Sequence, residues 1–289
     1  MNSSIVPKIL IFSSLSTLLL ICVTGNLHLF VSANAASVAS AITLPYNYTF
    51  SQDGTLHEAG TIDESSSPYW WVNSGAYLKV ANGSGATVMG ELPALASWRT
   101  LYAKNNPIDT DNGYHPQNIF RLLTRTKLQD VTESAYFKIE KTNLSSSTNR
   151  NASNGLLLFS RYVDGNNLYY LGVRVDGIAV IKKKRNGTYS TLAQKKVFPG
   201  VWNVNTNPNL LPPKTWIGIK AVTKNEGNGV RLTLYTDVKK TGIWTEVLSV
   251  FDDGVASGSS AVTAAGYGGM RTDFMDVSFD DYKLTAIPK

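Results

Sequence analysis

A chain of 289 residues, 43% hydrophobic and 17% charged, has ordinary globular composition and enough apolar side chain for one large β domain. Its formal charge of +6 suits an acidic partner without demanding one, and with no helical recognition motif beside it nucleic acid is set aside. The single cysteine, Cys22, excludes an internal disulfide, so stability has to come from the core, with or without a bound metal.

At the N-terminus, Lys8 precedes the apolar run ILIFSSLSTLLLICV, and the small-residue string ANA follows at 33–35. This is the layout of a secretory signal peptide over residues 1–35, which predicts a secreted or cell-surface protein. The alternative is an uncleaved anchor, because NLHLFV at 26–31 lengthens the apolar stretch toward the ~20 residues that a membrane span needs. Membrane contact is expected only in that case. Cleavage removes Lys8 and no acid, lowering the charge from +6 to +5, and it removes Cys22 and with it any thiol chemistry. Five sequons follow, at Asn47, Asn82, Asn143, Asn151 and Asn186, each in a polar, turn-like context suited to surface glycosylation.

After a linker at 36–45, short runs of β-branched and aromatic residues punctuated by Gly, Asn, Asp and Ser recur over 46–289, with no convincing amphipathic helix and no internal repeat. Strands are predicted at 46–50, 69–73, 76–81, 118–125, 134–141, 155–162, 167–175, 179–184, 215–223, 230–238, 245–253 and 276–286. Asp-Gly at 164–165 and 176–177 and Asn-Gly at 186–187 reach positive φ cheaply, so 155–194 reads as a continuous antiparallel meander. The stretch 85–117 reads as loop, 143–154 as a mobile loop and 198–213 as a proline-pinned excursion over the sheet. The pattern predicts an all-β, antiparallel two-sheet sandwich or jelly roll.

The segment LLLFSRYVDGNNLYYLGVRVDGIAVIKKKRNGTYSTLA resembles the central meander of concanavalin A-like domains. The resemblance rests on Arg161, Tyr162, Asp164, Asn167, Tyr169, Tyr170, Asp176, Gly177 and Lys182 to Lys184, and GGMRTDFMDVSFDDYKL at 268–284 resembles the closing strand of the same group. It implies a jelly roll over 46–289 and a function concerned with carbohydrate, since such domains include lectins, binding modules, glycosidases and polysaccharide lyases. Such domains often clamp a structural Ca²⁺ between the opening and closing strands, so the resemblance offers Asp53 and Asp280 as candidate ligands by the match of FSQDG and FDDYK, the alternative being aspartates that only stabilise turns and strand ends.

Strand alternation groups the candidate residues by face. Arg121 and Arg125 share a face with Leu123, Lys138 with Tyr136, and Arg174 with Tyr170 and Gly172, whereas Arg161 falls in register with Phe159 and Leu157 and reads as a brace for the hairpin. Placed together on the concave sheet, Arg121, Arg125, Lys138, Tyr170 and Arg174 would make a basic groove with an aromatic wall, fit for an acidic sugar, and Trp202 would be an exposed platform in its loop. The plain alternative is a solvated sheet face with its cations paired to acids such as Glu140 and Asp176.

A glycan-binding protein is therefore expected. One alternative is a polysaccharide lyase on a polyuronate, with His115 or Tyr170 moving protons and Arg121 or Arg125 neutralising the carboxylate. The strings expected of such lyases are absent: YFKIEKTNL at 136–144 matches only the first three letters of one. A glycosidase is disfavoured, because no paired-carboxylate spacing of the ExDxxE kind occurs. The third reading is a structural or adhesion protein whose sheet faces meet other proteins.

Overall fold

The computed structural model describes residues 35–287; all but the last residue of the expected signal segment, Cys22 included, lies outside them. In chain order the strands are β1 (Tyr46–Tyr48), β2 (Gly54–His57), β3 (Trp70–Ser74), β4 (Tyr77–Ala81), β5 (Ser84–Ala86), β6 (Ile119–Leu128), β7 (Val131–Thr142) and β8 (Gly155–Asp164). They continue with β9 (Asn167–Arg174), β10 (Ile178–Arg185), β11 (Thr188–Lys196), β12 (Trp216–Glu226), β13 (Gly229–Val238), β14 (Thr245–Asp252), β15 (Gly266–Asp273) and β16 (Met275–Ala286). One sheet, hereafter the first, runs β14-β13-β12-β7-β16-β5-β4-β2 with β1 also on β16; the second runs β11-β10-β9-β8-β15-β6-β3. Every pairing between named strands is antiparallel, so the two-sheet sandwich expected from the pattern is the fold.

Alternation sorts the residues between core and solvent. Phe137 and Ile139 of β7 and Ile217 and Ile219 of β12 meet Leu122 of β6, Leu171 of β9 and Ile181 of β10 in one buried cluster. Each fully buried Phe, Leu or Ile contributes roughly 1.5–3 kcal/mol, which accounts for a fold with no disulfide to lean on. The second sheet is apolar on its outer face as well. Trp71, Leu123, Leu157, Phe159, Tyr162, Leu168, Tyr170 and Val180 form a separate cluster there, with Ala59 and Ile62 packed against it.

The structure departs from the sequence expectations in five places. Residues 36–45 are no linker: the Ser37 and Ser40 amides bond to Ser65 and Pro68 carbonyls, and Ile42 is buried in the core. The loop-like stretch 85–117 contains a helix, α1 (Ser97–Asn105), anchored by buried Tyr102. The loop at 143–154 is tied down, with Ser145 Oγ on Asp111 at 2.5 Å and Ser147 Oγ on Asp109 at 2.5 Å. Asn143, expected on the surface, is buried at 2% exposure with its amide on Asn118 and Asp276, so its sequon is closed to modification in the folded chain.

The fifth departure is β15, whose glycines suggest a turn. It is a central strand between β8 and β6, and a Cβ at Gly269 (φ 151°) would stand 2.1 Å from the Leu122 carbonyl oxygen. Only glycine fits where the ladder bulges there. A matching irregularity in β8 puts Arg161 at φ 51°. Its side chain, 2% exposed, donates to Gln129 O, Asn225 Oδ1, Val262 O and Asp130 Oδ1, as befits a brace.

Candidate functional site

The outer face of the second sheet holds a cleft of about 510 Å³. Its floor comes from alternate positions of neighbouring strands: Arg121 on β6, Arg271 and Asp273 on β15, Leu157 on β8, Tyr170 on β9, Lys182 on β10 and Tyr189 on β11. The register lines several of these up directly, Arg121 opposite Arg271 and Tyr170 opposite Lys182. One wall is the tied-down loop, which presents Asn149, Asn151, Ser153 and Asn154, and Asp109 stands beside it. The side opposite the core is therefore a row of cations and phenols facing a wall of amides and a hydroxyl.

The cations fall into two kinds. Arg271 donates to Asp273 Oδ1 at 2.8 Å and to the Tyr170 hydroxyl at 2.7 Å, which holds that phenol in place. Arg121 bonds only the neutral amide of Asn73, at 3.2 Å, and no ion pair involves Arg121 or Lys182 among the described residues. Burial, with Arg174 and Arg271 nearby, lowers the affinity of Lys182 for its proton. Positive charge left unpaired beside other positive charge is costly unless an anion arrives.

The two tyrosines differ in the same field. Their rings stack at 6.1 Å between centroids, 23° from parallel. Burial pushes the Tyr170 hydroxyl up to about 12. Burial acts on Tyr189 in the same sense, but Arg271, a hydrogen bond from Tyr170 and the Lys184 ammonium outweigh it and hold the hydroxyl below the usual phenol range. Tyr189 is 51% exposed, with Lys184 Nζ 4.9 Å from its ring centroid.

Of the residues expected from the sequence, Arg121 and Tyr170 line the cleft. Arg174 lies on the same strand face beyond it, paired to Asp176 and donating to Ala152 O at 3.1 Å. Arg125 does not join them: its guanidinium is spent on Ser37 and on the Ser65 and Ser67 carbonyls, fastening the N-terminal segment. Lys138 is on the first sheet, bonded to Glu140 at 2.9 Å and standing over Trp216. The single groove imagined from five residues is thus divided, because β6 is irregular beyond Leu123 and β7 belongs to the other sheet. Trp202 is half-buried, its indole N–H on Pro208 O at 2.8 Å, and it pins its own loop.

His115 lines a separate depression with Glu91, Tyr114 and Asp111, its Nδ1 2.9 Å from Asp111 Oδ2, so it shares no cleft with Tyr170 and Arg121. The expected calcium ligands do not form a site. Both Asp280 oxygens are engaged, one by Lys240 and one by the Asp281 amide, while Asp53 receives the Asn82 amide at 3.1 Å. Lys240 already supplies the positive charge at Asp280. Among the described residues no group of three or more His, Cys, Asp or Glu side chains could hold a metal ion.

Lys182, Tyr189, Arg271 and Asp273 are absent from the sequence-based set. The alternation Lys182 out, Lys183 in, Lys184 out carries the first of them, and reading 266–273 as a strand would have put Arg271 and Asp273 on one face.

No protein-family model matches the chain. No curated protein sequence matches it either. Solved structures do resemble it. The carbohydrate-binding module CBM66 from Bacillus subtilis aligns at 15% identity over 75% of this chain and 95% of its own, with a TM-score of 0.44. A prokaryotic β-1,3-1,4-glucanase from a mouse hindgut metagenome aligns at 9% identity over 84% and 99%, TM-score 0.44. The Lotus tetragonolobus seed lectin aligns at 8% over 85% and 99%, TM-score 0.44. Identities this low concern architecture and leave ligand and chemistry to the residues themselves.

Proposed function

We propose that this protein binds an acidic glycan, one bearing carboxylates such as a polyuronate, in the cleft on the outer face of the second sheet. The observation that carries the reading is the pair of cations without an acid partner, Arg121 and Lys182, lining one cleft with stacked Tyr170 and Tyr189. A guanidinium takes a carboxylate through two parallel hydrogen bonds, and a phenol ring packs on the apolar face of a pyranose. The amides of Asn149, Asn151 and Asn154 supply donors and acceptors for sugar hydroxyls. An exported, cell-surface or secreted location, with glycans on the exposed Asn47, Asn82 and Asn186 and none on Asn151 in the cleft wall, belongs to the same proposal.

Titration calorimetry with alginate, glucuronan and pectate oligosaccharides, beside uncharged glucan oligosaccharides, tests it. Binding of an acidic series that weakens with added salt and drops at least about tenfold in Arg121→Ala is the expected result. Equal binding of charged and neutral chains, or none, overturns it; the latter would favour a structural or adhesion protein.

A further inference from the structure

We propose that the glycan is mixed in charge: the uronate held in the cleft is joined to a sugar without an acid group, and that neighbour sits in the depression lined by His115. This rests on the acidic-glycan reading of the cleft and adds to it the composition of the chain.

The two concavities share a ridge. Asp109 and Asn149 line the cleft, while Asp111 and Ser146, from the same two segments, line the depression, whose volume is about 500 Å³. Asp109 and Asp111 are two residues apart, a span of at most ~7 Å even in extended chain. The ridge is also held firm. Ser147 Oγ and the Asn149 side-chain amide donate to Asp109 Oδ1 at 2.5 and 3.0 Å, and Ser145 Oγ donates to Asp111 Oδ1 at 2.5 Å. A glycan that crosses this ridge from the cleft meets the depression next.

Charge reverses along that path. Arg121 and Lys182 in the cleft have no acid, whereas Asp109 on the ridge and Asp111 and Glu91 in the depression have no lysine or arginine paired to them among the described residues. Asp111 faces His115 Nδ1 at 2.9 Å, and the Arg99 guanidinium lies 3.5 Å from the Tyr114 ring centroid without an ion pair to any of the three acids. A second carboxylate, on the neighbouring sugar, would stand among like charges, and such apposition selects against a partner. A sugar with hydroxyls alone is suited to the same lining: the Glu91 carboxylate accepts from them, and the Asn112 amide, the Ser146 hydroxyl and Tyr114 offer further polar contacts. The cleft thus takes the acid and the depression refuses a second one.

Calorimetry at neutral pH and low salt tests this with tetrasaccharides of two kinds. Those of hyaluronan and unsulfated chondroitin carry a uronate at every second position; those of glucuronan, alginate and pectate carry one at every position. The expected result is that the alternating chains bind at least about tenfold tighter. In Glu91→Lys, an exchange at an exposed position, the homopolymers gain affinity and the difference shrinks to within about threefold. Homopolymers that bind the parent as tightly as the alternating chains overturn the mixed-charge inference and leave the acidic-glycan reading standing. A preference that Glu91→Lys leaves unchanged overturns the placing of the second sugar in the depression. If none of the five binds, the acidic-glycan reading and the inference fall together.

Discussion

The two outer faces of the sandwich use the same residue types to opposite ends. On the first sheet the rings of Trp216, Tyr235 and Trp244 each lie under a lysine ammonium, with Nζ 4.5–4.9 Å from the ring centroid. Several cations of that face are paired as well, Lys138 and Lys214 to Glu140 and Lys240 to Asp280 and Asp281, whereas Lys220, over Tyr235 and Trp244, has rings and no acid among the described residues. Gly218 lets Tyr136 and Trp244 lie flat, since a Cβ there would come within 2.8 Å of both. On the second sheet the tyrosines stack on each other, and Arg121 and Lys182 have no acid. Aromatic-and-lysine composition therefore does not identify a binding face; two acid-free cations lining one cleft do, because there an incoming anion gains interaction with both without displacing another acid.

Four experiments sharpen this contrast, and the largest expected effect concerns the core beneath both faces. Glu133 on β7 is 1% exposed and accepts from the Tyr282 hydroxyl and the Gly269 amide, both at 2.7 Å. Burial raises its carboxyl from the ordinary 4.5 to about 8. The folded state thus holds a proton that the unfolded chain releases near 4.5; the stability this gives is complete below that pH, declines as pH rises toward 8 and is lost above it. Denaturant titration should show Glu133→Gln more stable than the parent by about 4 kcal/mol at pH 9 and equal to it at pH 4. Glycan binding should be unchanged in that variant at a pH where both are folded.

Next in size, Arg121→Ala with Lys182→Ala should weaken binding of an acidic oligosaccharide about 10²-fold by calorimetry, each charge-assisted contact being worth ~1.5–3 kcal/mol. The same double exchange on the other face, Lys138→Ala with Lys240→Ala, should leave affinity within about twofold, since those cations serve their own acids and rings. Smaller again, Gly218→Ala should cost about 1 kcal/mol in thermal unfolding by lifting Trp244 off the sheet, with binding intact. A loss of binding in Gly218→Ala would mean that the first sheet's face is part of the site.

How much of this is legible in the sequence depends on the kind of regularity involved. The meander from Gly155 to Lys196 follows from alternation and from Asp-Gly and Asn-Gly turns, local signals that tertiary packing does not override here. Strand β15 is not legible in that way, because its glycines answer to backbone that approaches from β6 and β8, residues distant in sequence. The site divides along the same line. Tyr170 and Arg121 follow from alternation within one strand, but the sheet to which Lys138 belongs is a matter of topology. Arg125 shows the remaining limit: its face was predictable from the strand, its engagement with the carbonyls of residues 37–67 was not. The basic run at 182–185, KKKR, is a mixed case. Lys182 and Lys184 point outward as a solvated strand would have them, while Lys183 is buried on Asp252 and the Ser259 carbonyl, holding a distant loop to the sandwich.

The contrast between the faces is tested most directly by a crystal structure with a bound uronate oligosaccharide. Density is expected in the second sheet's cleft, with a carboxylate on Arg121 or Lys182 and a pyranose ring against Tyr170 or Tyr189. Density stacked instead on Trp216 or Trp244 of the first sheet, with the cleft empty, would contradict it.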